Sequence, residues 1–212
     1  MKKICLITFF CLCLSSAFAG AGIGVKYGAA PADTNVPNIG FMDKNQSSCG
    51  FEFFLEKETP KDAFGFRIGF NKYGDIETTG VFERRDEEGI PQGGNTLVKF
   101  KNELYTVPVT VYYKYKAMEN FYITVNGGIT YGYSSWSLRE DDSSSGFSVS
   151  SNQNDSKLFP HIGLGAEWRA NKNIGVGLDI TYNFQSKIYA GNLPFYRSID
   201  GLQGNIAARY YF

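Results

Sequence analysis

The chain has 212 residues, zero formal net charge, four cysteines, one histidine and 16% aromatic residues. That length allows one domain or at most two small ones, and the even charge balance lacks the basic excess of a nucleic-acid footprint, so no nucleic acid is expected as a partner. After the N-terminal segment there is no run of 18 apolar residues, which excludes a membrane protein of helices but not one of strands, because alternating strands average to a soluble-looking composition.

Residues 1–19 read as a signal peptide. Lys2 and Lys3 supply the positive start, Ile4 to Leu14 is an apolar run too short to span a bilayer, and Ala17 and Ala19 are the small residues expected before a cut. Cleavage after Ala19 would leave one domain over residues 20–212. An uncleaved N-terminal anchor is the alternative; a lipoprotein signal fits poorly, since the bulky Leu12 precedes Cys13. Cleavage also removes Cys5, Cys11 and Cys13, so Cys49 alone has no internal disulfide partner.

The rest of the chain reads as strands of period two. The first patterns are 21–28 and 49–58. In 63–71, Phe64, Phe66, Ile68 and Phe70 alternate with Gly65, Arg67, Gly69 and Asn71. In 98–116, Val107, Val109, Val111, Tyr113 and Tyr115 share a face; Pro108 lacks the ladder N–H and predicts a local irregularity. In 121–133, Phe121, Ile123, Val125, Ile129, Tyr131 and Tyr133 oppose Tyr122, Thr124, Asn126, Gly128, Thr130 and Gly132. A less clean segment covers 157–170. In 174–184 the alternation has no exception, and the last pattern sets Leu202, Ile206, Ala208, Tyr210 and Phe212 against Gln203, Asn205, Arg209 and Tyr211. These make eight strands.

Short connections (Thr59 to Asp62, Ala117 to Asn120, Asn171 to Asn173) alternate with long ones at about 29–48, 74–97, 138–156 and 187–201. That order predicts an all-β fold: a closed eight-stranded antiparallel up-and-down transmembrane β-barrel, with short turns at one rim and long loops at the other. Eight strands enclose only enough room for side chains, so the Gly, Thr, Asn and charged face belongs inside and the bulky apolar face meets lipid. Outward aromatics then fall into two belts. Tyr27, Phe51, Phe70, Tyr131, Tyr133, Tyr182 and Phe184 lie toward the loops; Phe64, Tyr113, Tyr115, Phe121, Trp168, Tyr210 and Phe212 lie toward the turns.

The segments VPVTVYYKY (107–115), FYITVNGGITYGY (121–133), FPHIGLGAEWRANKNIGVGLDITYNF (159–184) and NIAARYYF (205–212) carry a resemblance. Over nearly all of 20–212 the chain resembles the small outer-membrane β-barrels that include the OmpA transmembrane domain and opacity-type surface antigens. The resemblance implies a cell outer membrane location, outer-membrane lipids and lipopolysaccharide as surroundings, and folding by the barrel-assembly machinery. Within it, Tyr210 and Phe212 look like the C-terminal assembly signal. The patterns are generic to barrels and specify architecture more than activity.

By parity the lumen holds Lys26, Arg67, Lys114, Arg169 and Arg209 with Glu52, Glu56, Glu167 and Asp179. Charges in a narrow lumen are tolerated mainly when paired, so an ion-pair network filling the barrel is the leading expectation and a gated ion path the other. No enzyme is expected. His161, the single histidine, sits in a strand where lipid A deacylases of similar topology carry a His-x-Ser pair, but the third position here is Gly163. A structural hydrogen bond in the lumen is the plainer role. No metal or cofactor is expected: there is no Cys/His cluster, and the glycines of GAGIG and NGGITYG lie on strand patterns with no helix after them.

The long connections are acid-rich, with Asp75, Glu77, Glu83, Asp86, Glu87 and Glu88 in one and Glu140, Asp141, Asp142 and Asp155 in another. Solvated loops explain this, as would divalent cations among lipopolysaccharide headgroups or a basic host surface molecule. The stretch 141–156 reads as mobile by composition. The expected role is that of a structural surface antigen or adhesin-like protein, with a small gated pore or a lipid-modifying enzyme as alternatives.

Overall fold

The computed structural model describes residues 20–36, 40–43, 45–85, 91–142, 148–191 and 195–212; the expected signal peptide lies outside them. The strands in chain order are β1 (Gly20–Ala30), β2 (Asp33–Val36), β3 (Gly40–Asp43), β4 (Gln46–Glu58), β5 (Asp62–Tyr73), β6 (Ile76–Arg85) and β7 (Pro91–Met118). After these come β8 (Phe121–Asp142), β9 (Ser148–Arg169), β10 (Ile174–Asn183), β11 (Ile188–Tyr189), β12 (Tyr196–Ser198) and β13 (Gly201–Tyr211).

Eight of them form a ring in the order β1, β4, β5, β7, β8, β9, β10, β13, each antiparallel to the next. β13 then pairs with β1 from Gly22↔Tyr211 to Ala29↔Gly204 and closes it. Closure matters physically, since a strand edge facing hydrocarbon would leave unpaired N–H and C=O groups. The alternation of the sequence becomes two faces. Leu178 is 51% exposed on the outside and its neighbour Asp179 only 4% exposed in the lumen. Both aromatic sets lie on the outer face, with Tyr27, Phe51, Phe64, Trp168 and Phe212 widely exposed.

Small residues on the inner face leave room for large ones across from them. A methyl on Gly22 would meet the Phe54 ring at 2.2 Å, and one on Gly65 the Tyr112 ring at 2.3 Å. Phe54, Tyr112 and Tyr211 pack together in the space so left. Pro108 sits in an unbroken register with Thr130 on β8, while toward β5 the ladder skips from Ile68↔Val109 to Asn71↔Thr106 without changing register. The irregularity is thus a gap in pairing where the N–H is missing.

The short turns are fixed locally. The Asn171 side-chain oxygen accepts from the backbone N–H of Asn173 at 2.8 Å and of Ile174 at 2.9 Å, an Asx turn. At the β4–β5 hairpin, the Thr59 N–H donates to the Asp62 carbonyl at 2.7 Å.

The long connections are corrected by the structure: 29–48, 74–97 and 138–156 are largely strand, and 187–201 holds the short β11 and β12. Residues 76–85 and 91–97 belong to β6 and β7, and 138–142 and 148–156 extend β8 and β9, including most of the serine-rich stretch read as mobile. β7, β8 and β9 therefore run 28, 22 and 22 residues, well past a bilayer's width. Serine and asparagine are weak strand formers alone, but a hairpin already in register supplies each residue with a partner. With β6 these strands form a blade beyond the ring. The other two connections supply β2, β3, β11 and β12, a small sheet in the order β11-β12-β2-β3.

Candidate functional site

The lumen is filled in three layers. Nearest the short turns is one continuous ionic network. Arg169 reaches Glu167 at 3.0 Å and also pairs with Glu56 and Glu58. Lys114 Nζ lies 2.9 Å from Glu56 and 3.2 Å from Glu167, and donates to the Tyr211 hydroxyl at 2.9 Å. Arg209 Nε donates to Glu52 at 2.7 Å, its Nη1 to Glu167 at 2.9 Å, and its Nη2 to Asp179. Arg67 stands 3.4 Å from both Glu52 and Asp179, and Lys26 is 3.2 Å from Glu52.

All nine charged residues assigned inward by parity are therefore brought into one network. The structure adds three that the sequence reading left out of it: Glu58 at the rim, Tyr112, whose hydroxyl donates to Glu56 at 3.0 Å, and Tyr211, which donates to Glu167. Parity had put Tyr211 inside, and its phenol was the available signal. The arrangement obeys the energetics of buried charge: each buried ion loses hydration, so each buried carboxylate is held by several donors rather than one, and only the exposed Glu58 relies on Arg169 alone.

The middle layer is polar and uncharged. His161 is buried with both ring nitrogens engaged, Nε2 at 3.0 Å from the Thr110 hydroxyl and Nδ1 at 2.8 Å from that of Thr130. Asn71 donates to Thr106 at 3.2 Å. Tyr73 donates to Gln203 at 2.9 Å, and Gln203 in turn to Ser48 at 3.2 Å. A cavity of about 40 Å³ remains among these groups, room for about one water.

The third layer was not legible in the sequence. The segment carrying β11 and β12 folds over the loop end of the lumen. There Ile188 and Ile199 pack with Ala30, Tyr73, Leu104 and Phe159. Beside it, Val98, Phe100, Trp136 and Ala190 form a second cluster against Leu138 and Phe195. Arg197, fully buried, ties the segment down by donating to the Asn102 side-chain oxygen at 2.6 Å, the Gly74 carbonyl at 2.6 Å and Gln46. Two isoleucines without a period gave no signal of this plug.

Tyr210 and Phe212 lie outside, at the turn end of β13, with ring centroids 5.6 Å apart. From the turn end outward the described interior offers opposed charges, then hydrogen-bonded amides and hydroxyls, then apolar packing. Among the described residues no group of three His, Cys, Asp or Glu is placed to hold a metal ion.

A ring of eight antiparallel strands with an apolar outside and an ionic inside suits a membrane barrel, and a family match decides which. Residues 5–210 match the family described as the outer membrane protein beta-barrel domain. The chain belongs to that family. It is accordingly an outer-membrane β-barrel. Among solved structures, a major outer membrane protein from Thermus thermophilus is similar at 14% identity and TM-score 0.50, covering 91% of this chain and 99% of that one. Ail of Yersinia pestis, solved in complex with the heparin analogue sucrose octasulfate, is similar at 16% identity and TM-score 0.49, covering 91% and 98%. OprG from Pseudomonas aeruginosa gives 13% identity and TM-score 0.48, covering 92% and 97%. At its identity, the likeness to the Thermus thermophilus protein speaks to the fold alone. Direct comparison with curated proteins finds no match.

Proposed function

We propose that this barrel is a structural surface protein of antigen or adhesin-like type, with the blade and plug outside the cell and the short turns in the periplasm. In this reading the signal peptide is cut after Ala19, the barrel-assembly machinery inserts the chain, and outer-membrane lipid and lipopolysaccharide surround it. A host surface molecule is the partner that the blade would meet.

The observation that carries the reading is the double closure of the lumen, by the Lys114–Glu167–Arg209 network at one end and the Ile188–Ile199 plug at the other. A wall that spends its interior on fixed ion pairs has no continuous path for solute. His161 is bound on both nitrogens by threonine hydroxyls, which suits a structural role better than a base in lipid chemistry.

Planar-bilayer recording on the native protein, together with protease shaving of intact cells, tests this. The expected results are no large, stable conductance and cleavage confined to the blade and plug. Stable conductance would replace the reading with the gated pore, and turnover of lipid A or phospholipid would replace it with the enzyme.

A further inference from the structure

The polar middle of the lumen contains donors with no acceptor. Arg67 is 6% exposed, and both of its ion pairs, to Glu52 and to Asp179, run from Nη1 at 3.4 Å. Its Nε has no hydrogen-bond partner. The Nδ2 of Asn183, 3% exposed, has none either. Both residues line the cavity of about 40 Å³, and among the described residues theirs are the only unpaired buried side-chain atoms of its wall. Leaving such a donor buried and unpaired is costly, so the wall calls for an acceptor.

Lys26 lines the same cavity. Its side chain reaches over β4 to β5, where a methyl on Gly69 would stand 3.5 Å from Nζ. Its one carboxylate partner among the described residues is Glu52 at 3.2 Å.

Charge in the network is uneven from end to end. At the turn end Lys114 and Arg169 face Glu56, Glu58 and Glu167. At the cavity end Lys26, Arg67 and Arg209 share Glu52 and Asp179, and Arg209 alone also reaches Glu167. The cavity end is therefore short of negative charge. Asp179 is the one carboxylate in the cavity wall, and its Oδ2 already takes Arg67 and Arg209.

A water would fit by size, since it occupies about 30 Å³ in the liquid. It would bring two protons to a wall with no unpaired acceptor, and no charge to set against the cations. A small anion meets both needs, because it accepts from every side and its hydrogen bonds from charged donors are the strong ones. The volume admits one monatomic ion of about water's size and leaves no room for the four oxygens of a sulfate or phosphate.

We propose that the lumen holds a halide ion, chloride under physiological conditions, bound among Lys26, Arg67 and Asn183 between the ionic network and the plug. The ion is a component of the fold. The site does not depend on the role of the protein outside the cell.

The test uses the mature protein refolded into detergent micelles, with folding checked by heat-modifiable gel migration. Urea unfolding is compared in the sodium salts of chloride, bromide, sulfate and gluconate at one ionic strength. Chloride at about ten times its dissociation constant should lower the unfolding equilibrium constant about tenfold against gluconate. Bromide should act like chloride, and sulfate like gluconate. Asn183→Asp places a fixed carboxylate in the wall, so in gluconate it should match the wild type in chloride and show no chloride response. Lys26→Met should also lose the response, whereas Lys172→Met, between β9 and β10 at the turn rim, should keep it. Crystals grown in bromide give the direct reading, an anomalous peak in the cavity beside Lys26. Equal unfolding in chloride and gluconate, an equal gain from sulfate, or a chloride response kept by Asn183→Asp and Lys26→Met would overturn the site. So would bromide-grown crystals with a water in the cavity and no anomalous signal there. If Lys26→Met does not fold, Asn183→Asp and the bromide crystals decide.

Discussion

Arg197 in β12 donates from Nη1 to the side-chain oxygen of Asn102 in β7 at 2.6 Å, across 95 positions of sequence. Its other acceptors are the Asn102 carbonyl at 3.2 Å, the Gly74 carbonyl and Gln46, so every partner is neutral. No carboxylate is in contact with this buried guanidinium, so hydrogen bonds are its direct hold. Burial pushes its pKa down to about 10 against the opposing charge of Asp75, which leaves it a cation at neutral pH. The plug is thereby fastened by one charged group whose hydrogen bonds all end on uncharged oxygens.

Replacing that group should free the plug and spare the ring. Arg197→Met removes the donors of Asn102 and Gln46 and should destabilise the loop end by about 2–3 kcal/mol. Limited proteolysis is the measure: cleavage within 187–200 should quicken while the strands of the ring stay protected. Unchanged cleavage would show that Ile188 and Ile199 hold the plug unaided.

Arg209 plays the opposite part, a cation among three carboxylates. Arg209→Ala takes one cation from Glu52, Glu167 and Asp179, which keep Lys26, Arg67, Lys114 and Arg169, and leaves the buried network one positive charge short; it should cost about 3–5 kcal/mol. Adding Glu52→Gln should return part of it, since one uncompensated charge is then gone. Urea unfolding in micelles of the wild type, both single variants and the double variant reads the coupling. Strictly additive losses would mean that the Arg209–Glu52 contact at 2.7 Å contributes nothing net.

These two arginines also mark what the sequence made legible. Strand parity is local, and it separates Asp179 from Leu178, and Arg209 from Tyr210, with no knowledge of the rest of the chain. Loop order is local too, which is why the ring could be anticipated. Pairing within the lumen is not local: Arg209 and Glu52 are 157 positions apart, and which carboxylate takes which cation depends on strand stagger. The blade escaped because its serines and asparagines become strand only through their neighbours. The plug escaped because Ile188, Arg197 and Ile199 follow no period at all.

The proposed closure of the lumen by network and plug in series makes a prediction that either alone does not. Deleting 187–199 should expose the polar middle layer yet leave conductance low, because the network below still crosses the lumen. Arg209→Ala with the plug intact should likewise conduct little. Only the two changes together should open a stable small conductance in planar bilayers. Full conductance from plug deletion alone would show that the ionic layer passes ions freely.

The last prediction concerns Phe212. Its ring is 69% exposed on the outer face, beyond the last paired residue of β13, while its N–H donates to the Ala21 carbonyl at 2.8 Å and so holds the chain end against β1. Phe212→Ala keeps that backbone bond and loses only the ring. If the ring acts through the folded barrel, its loss costs interfacial burial and contact with Tyr210, on the order of 1–3 kcal/mol, and refolding in detergent should record it. If the ring is read during assembly, the defect is kinetic: precursor gathers in the periplasm while the purified variant refolds almost normally. The ring touches little protein besides Tyr210, so the first account rests on lipid contact alone. The expected outcome for Phe212→Ala is low outer-membrane yield in cells with near-normal refolding in micelles. Tyr210→Ala, two residues earlier on the same face, should behave alike. Normal yield for both variants would assign this end of β13 to lipid contact and nothing more.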